Sequence, residues 1–73
     1  MIIVKVGRCL IQQRCAEIGI TQRQLADRLQ RSETQISDWA TNRTIMSMKT
    51  AKEVAYILNC VIDDLYEWII YED

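Results

Sequence analysis

The 73-residue chain has no proline and no histidine, only two glycines and only three cysteines. Without proline and with little glycine it has few sharp loops, a composition that suits helices. Histidine is absent, and Cys9, Cys15 and Cys60 form no CxxC pair, so the usual zinc ligand sets are missing. An odd cysteine count argues against a disulfide scaffold, and the expectation is buried thiols in a reducing cytoplasm. No segment approaches the roughly 20 apolar residues of a membrane-spanning helix. The apolar start, Met1 to Val6, is too short for a secretory leader and lacks a small-residue cleavage site. There is no Gly-rich phosphate loop and no nucleophile beside a base, since Ser37-Asp38 is not such a pair. The chain is therefore expected to be no enzyme and to hold no cofactor or metal.

What is present is ordinary globular composition, 49% hydrophobic and 26% charged. Residues 1–73 are read as one domain. So short a chain buries a modest fraction of its surface, and a second copy would help to stabilise it. The formal net charge of -1 hides an asymmetry. Residues 1–59 hold all nine Lys and Arg against five acids, a net +4, whereas residues 60–73 hold five acids and no base. One face can thus be basic while the tail is acidic.

Ile2 to Val6 is β-branched and reads as a strand, which Gly7 is expected to break. A helical period begins at Arg8, with Leu10, Ile11, Cys15 and Ile18 apolar, and Gly19 suits a left-handed C-cap. Thr21-Gln22-Arg23-Gln24 has the form of a capping box, and Ser32-Glu33-Thr34-Gln35 has it again eleven residues later. Leu25, Ala26 and Leu29 mark one buried face, and Ile36 and Trp39 the next. Two short helices, near 21–29 and 32–41, joined by a tight turn at Gln30-Arg31, outline a helix-turn-helix. Ser47 can cap a fourth helix with Ala51, Val54, Ala55 and Leu58 inward, closed by Asn59. A fifth short helix is expected from about Ile62 to Glu67, with Asp63 and Asp64 at its positive end. Trp68-Ile69-Ile70-Tyr71 is again β-branched and aromatic and can pair with Ile2 to Val6. The fold class is mostly α: five helices, with a small two-stranded sheet from the termini.

Residues 20–43, from Ile20-Thr21-Gln22 through Leu25-Ala26, Ser32, Ile36-Ser37 and Trp39 to Asn42-Arg43, resemble the helix-turn-helix of the Cro and lambda-repressor family. Leu58 to Tyr66 is similar to that family's closing segment. An Ile-Ile-Val-Lys start and an acidic strand at the end resemble a bacterial and phage subgroup. The resemblance implies a small DNA-binding transcription regulator, most simply a repressor, with double-stranded DNA as partner. It also implies that the helix near 32–41 enters the major groove.

The exposed side of that helix carries the base-reading candidates Glu33, Thr34, Gln35, Ser37 and Asp38. Carboxylates can accept from cytosine N4, and the threonine methyl can meet a thymine methyl. The phosphate-binding candidates are Gln22 and Arg23 at the preceding helix start and Thr41, Asn42 and Arg43 after the recognition helix. The chain departs from the family pattern in three ways. Gln30 stands where the turn usually has glycine. Cys15 and Ala40 replace an Arg–Glu pair. Glu33 and Asp38 place two carboxylates, repulsive to phosphate, on the reading side.

One recognition helix reads too few base pairs for a genome, so a homodimer is expected, its half-sites about 34 Å apart. The expected dimer surface is Leu65, Trp68, Ile69 and Ile70, although these side chains could instead fold back over their own chain. A different class stays open beside DNA binding. The helix-turn-helix can serve as the scaffold of a protein-interaction module or antitoxin-like partner, which the acidic reading side favours.

Overall fold

The polypeptide starts and ends in strand and is helical between. The structure, a computed structural model, describes residues 1–73. Strand β1 (Ile2–Cys9) is followed by helices α1 (Ile11–Ile18), α2 (Gln22–Leu29), α3 (Glu33–Ala40) and α4 (Met48–Ile57). A 3-10 turn (Ile62–Leu65) and strand β2 (Tyr66–Glu72) complete the chain.

The helix ends follow the local chemistry. Thr21 and Gln24 form the reciprocal capping box, each side chain bonded to the other's backbone N–H, at 3.0 and 2.9 Å. A cap of this kind contributes about 1 kcal/mol. Ser32 caps α3 by accepting from Gln35 N–H at 3.1 Å, but the reciprocal bond from the Gln35 side chain is not made. The second box is thus half a box, and the Gln35 amide is left to the surface. Ser47 caps α4 through Thr50 N–H at 3.2 Å. Gly19 ends α1 in the left-handed region at φ 77°, and Gln30 ends α2 there at φ 56°. Both ends return two backbone N–H groups to the helix, closing carbonyls that would otherwise lack partners.

The helix count is four, not five. The segment expected as a fifth helix is one 3-10 turn of four residues, Ile62–Leu65, in which the Asp64 carboxylate accepts from Val61 N–H at 3.2 Å. It cannot lengthen, because Tyr66 and Glu67 extend to pair with β1. The first helix also starts later than its periodicity suggests, at Ile11, and Arg8 lies in the strand. Gly7 does not end β1 but sits in its bulge.

The two strands are antiparallel, with Ile2 opposite Glu72, Val4 opposite Ile70 and Val6 opposite Trp68. Between the pairs Val6–Trp68 and Cys9–Tyr66, β1 carries Gly7 and Arg8 where β2 has only Glu67, which is a bulge. A Cβ on residue 7 would collide with the Glu67 carbonyl, so only glycine lets the backbones approach there.

The core is one cluster of fourteen buried hydrophobic side chains drawn from every element. Ile11, Leu25, Ile36, Val54, Ala55 and Leu65 are fully buried at its centre. Leu25 and Ala26 from α2 and Ile36 from α3 are all buried in this cluster. Trp39 is buried beneath the Arg31 guanidinium, 5.8 Å from the ring centroid. Ile18, expected inward, is exposed at the end of its short helix.

Candidate nucleic-acid interface

Helix α3 is eight residues long and shows two sides. Ile36 and Trp39 are buried, while Glu33, Thr34 and Ser37 are exposed and Gln35 and Asp38 half-buried. Thr34, Ser37 and Thr41 form a stripe along the outer side, because residues three and four apart are neighbours on a helix. The start of α2 meets that stripe: Gln22, Glu33, Thr34 and Ser37 line one open hollow. Residues from two helices, separate in sequence, thereby share one polar surface. Arg23 is exposed one position further along α2.

Beyond α3 the candidates diverge. Thr41 is exposed, and its hydroxyl donates to the Ser37 carbonyl at 2.8 Å, leaving the oxygen free to accept. Arg43 is exposed, with its Nε 3.9 Å from the Asp38 carboxylate. So long a contact between largely solvated groups contributes little to stability. It does place a cation beside one of the two carboxylates that would repel phosphate. Glu33 has no such neighbour among the ion pairs.

Asn42, expected at a phosphate, is also tied to β1. Its side-chain amide accepts from Cys9 N–H at 2.8 Å and donates to the Gly7 carbonyl at 2.9 Å. Both ends of the amide are bonded to β1 at the bulge, and one N–H of this exposed side chain is left over. Its φ of 62° is a left-handed conformation that asparagine tolerates. The loop it begins is held at the other end by Tyr66, whose hydroxyl accepts from Met46 N–H at 3.3 Å. The backbone also closes here, with Arg43 N–H and Thr44 N–H both donating to the Asp38 carbonyl. Sequence reasoning missed the pinning of this loop from β1 and β2. Its signal was a lone asparagine after a helix, which reads equally well as a cap.

Leu65, expected at a dimer surface, is fully buried in its own chain and offers nothing to a second copy. Trp68, Ile69 and Ile70 remain exposed on β2. Trp68 leans toward the 3-10 turn, its indole N–H donating to the Asp63 carbonyl at 3.1 Å.

The other chemistry is quiet. Burial pushes the thiols of Cys9, Cys15 and Cys60 up from their ordinary value, which disfavours the reactive thiolate. No three His, Cys, Asp or Glu side chains gather as a metal ligand set. No helix is long and apolar enough to cross a membrane.

This geometry has counterparts. The chain is 39% identical over 71 residues to the uncharacterized HTH-type transcriptional regulator YopS, derived from the SPbeta prophage of Bacillus subtilis strain 168, with 93% of each chain covered. It is similar to a crystal structure of a Bacteroides fragilis protein assigned to DNA binding, with a TM-score of 0.76 and 30% identity, over 92% of this chain and 100% of that one. Residues 11–70, from the first helix into the last strand, match the Cro/C1-type HTH DNA-binding domain, and the chain belongs to that family.

Proposed function

We propose that the chain is a sequence-specific DNA-binding transcription regulator of bacterial or phage type, acting as a repressor. In this reading residues 1–73 work as one domain in the cytoplasm, and two copies bind double-stranded DNA together. The observation that carries it is the shared polar surface of Gln22, Glu33, Thr34 and Ser37, where the start of α2 flanks the outer side of α3. Family membership and the likeness to a prophage regulator support it.

The roles divide by chemistry. Glu33, Thr34, Gln35, Ser37 and Asp38 face base edges. Gln22 and Arg23, with Thr41, Asn42 and Arg43, face phosphates. Backbone N–H groups at the α2 start add to the phosphate grip. With α3 in the major groove, each copy reads one half-site, and blocking a promoter needs no further domain. No catalytic step is assigned.

The test is selection from random duplex DNA, followed by titration of the recovered site at rising salt. Recovery of a two-fold symmetric motif is expected, with affinity falling steeply as salt increases. The exposed carboxylate of Glu33, which no cation accompanies, favours a second reading, in which the same scaffold binds another protein. Failure to bind any duplex at low salt would give that reading precedence.

A further inference from the structure

The strands carry two chemically different faces. Residues directly opposite in an antiparallel pair point to the same side, and the side alternates along each strand. The register therefore puts Ile2, Val4 and Val6 with Trp68 and Ile70 on one face, joined only by Glu72 at the tip. Beyond the bulge the same side continues into Cys9 and Tyr66, which are buried in the core, and the Tyr66 and Trp68 rings meet edge to face at 6.0 Å. The opposite face carries Ile3, Ile69 and Tyr71, but also Lys5, whose ammonium lies over the Tyr71 ring.

The first face is thus the hydrophobic core prolonged outward with nothing over it. Val4 is 55% exposed, Ile70 63% and Ile2 63%. The molecule is drawn out to 43 × 21 × 18 Å, and its radius of gyration is 12.6 Å. A compact chain of this length has roughly 11 Å. Its surface of 5190 Å² exceeds by roughly 500 Å² what a compact monomer of this mass exposes. Two such excesses amount to roughly 1,000 Å², the area at which a specific interface begins.

We infer that a second copy of this chain seats on the Ile2, Val4, Val6, Trp68 and Ile70 face, ribbon packed on ribbon about a two-fold axis. The assignment deepens the homodimer of the proposed function and rests on it. It also revises the surface expected from sequence, because Leu65 belongs to the core and Ile69 to the opposite face. Edge-to-edge extension is the competing arrangement. On the β1 side it is obstructed at the base, where Asn42 already occupies Gly7 C=O and Cys9 N–H. Packing on the apolar face makes a common core for the pair, whereas the Lys5 side stays in water.

Sedimentation equilibrium of the full chain at micromolar concentration tests this, with far-UV circular dichroism as the check on folding. The wild-type chain is expected to be a dimer. Val4→Glu and Ile70→Glu should each halve the mass while keeping the helical signal, raising the dimer Kd at least about 30-fold. Ile3→Glu and Ile69→Glu, on the other face, should leave it dimeric. Should a glutamate disturb the ribbon, Ile70→Thr keeps the β-branched preference and should weaken the dimer more than Ile69→Thr does. A dimer that survives Val4→Glu and Ile70→Glu but dissociates with the Ile3 and Ile69 variants overturns the choice of face. A dimer that survives all four substitutions overturns face packing in favour of edge pairing. A wild-type monomer overturns the inference altogether, and duplex binding measured on that monomer by fluorescence anisotropy would show whether the DNA-binding reading stands without it.

Discussion

The side-chain carbonyl of Asn42 accepts the backbone N–H of Cys9 at 2.8 Å, joining the turn after α3 to the first strand across 33 residues of sequence. The amide nitrogen of the same residue holds the Gly7 carbonyl. The bulge in β1 breaks the ladder at this point, and Asn42 supplies partners that a third strand would otherwise provide. A contact between copies through the ribbon would thereby bear on the segment that follows α3.

Replacing this residue is the first prediction. Asn42→Ala should destabilise the chain by about 1–3 kcal/mol, because two backbone groups lose their partners and alanine is strained at a positive φ. Asn42→Asp keeps an acceptor for Cys9 N–H and loses the donor to Gly7, so its loss should be smaller. Urea unfolding followed by circular dichroism gives the order. Equal stability of wild type and Asn42→Ala would contradict the role assigned to the clasp.

Gln30 gives a prediction of opposite sign. It ends α2 at φ 56°, where a side chain is strained and glycine is not. Gln30→Gly should stabilise the protein by about 0.5–1 kcal/mol, the strain relieved outweighing the added freedom of the unfolded chain. That gain corresponds to a rise in Tm of roughly 3–6 °C for a domain of this size. Calorimetry of the variant checks it, and a lower Tm would mean that the Gln30 side chain makes a compensating contact.

On DNA, the substitutions should separate by what they touch. Arg43→Ala should weaken binding to all sequences about equally and reduce the salt slope by about one unit. Thr34→Ala should alter preference at one position of the half-site, by about 1–3 kcal/mol for a good contact. Asp38→Ala removes both a candidate cytosine acceptor and the carboxylate 3.9 Å from Arg43. A change confined to one base position supports reading by Asp38, and uniform tightening on every duplex marks it as merely repulsive. Anisotropy titrations on a set of single-base variants distinguish the two.

Alkaline pH should loosen the fold. Burial raises the Cys9 and Cys15 thiols and the Tyr66 hydroxyl above their ordinary values of 9.0 and 10.0. Such groups are neutral when protonated, so the unfolded chain gives up its protons first. The stability they contribute is complete below the unfolded values and is lost as pH rises through the folded ones. Urea midpoints should therefore fall from about pH 9 upward. Cys15→Ala should shrink that fall, and an unchanged slope in the variant would assign the loss to other groups.

Much of this protein was legible in its residues, because the signals are short-range. Thr21 with Gln24, Ser32 and Ser47 start helices by bonding to N–H groups three residues on, and Gly19 ends one by tolerating a positive φ. The spacing of Leu25, Ala26, Ile36 and Trp39 specified which sides of α2 and α3 are inward, and with them the side left exposed. The β-branched termini marked two strands that do pair. What the residues alone left undecided depends on partners far along the chain. The segment at Ile62 to Glu67 carries acids suited to a helix start, yet it ends after one 3-10 turn because Tyr66 is drawn into the sheet beside Cys9. Gly7 and Arg8 read as strand end and helix start, yet the bulge opposite Glu67 keeps them in β1. Asn42 and Leu65 looked like surface residues from their neighbours in sequence. Tertiary packing gave one a backbone to clasp and buried the other, since local periodicity says which side of an element is apolar but not which distant backbone will lie against it.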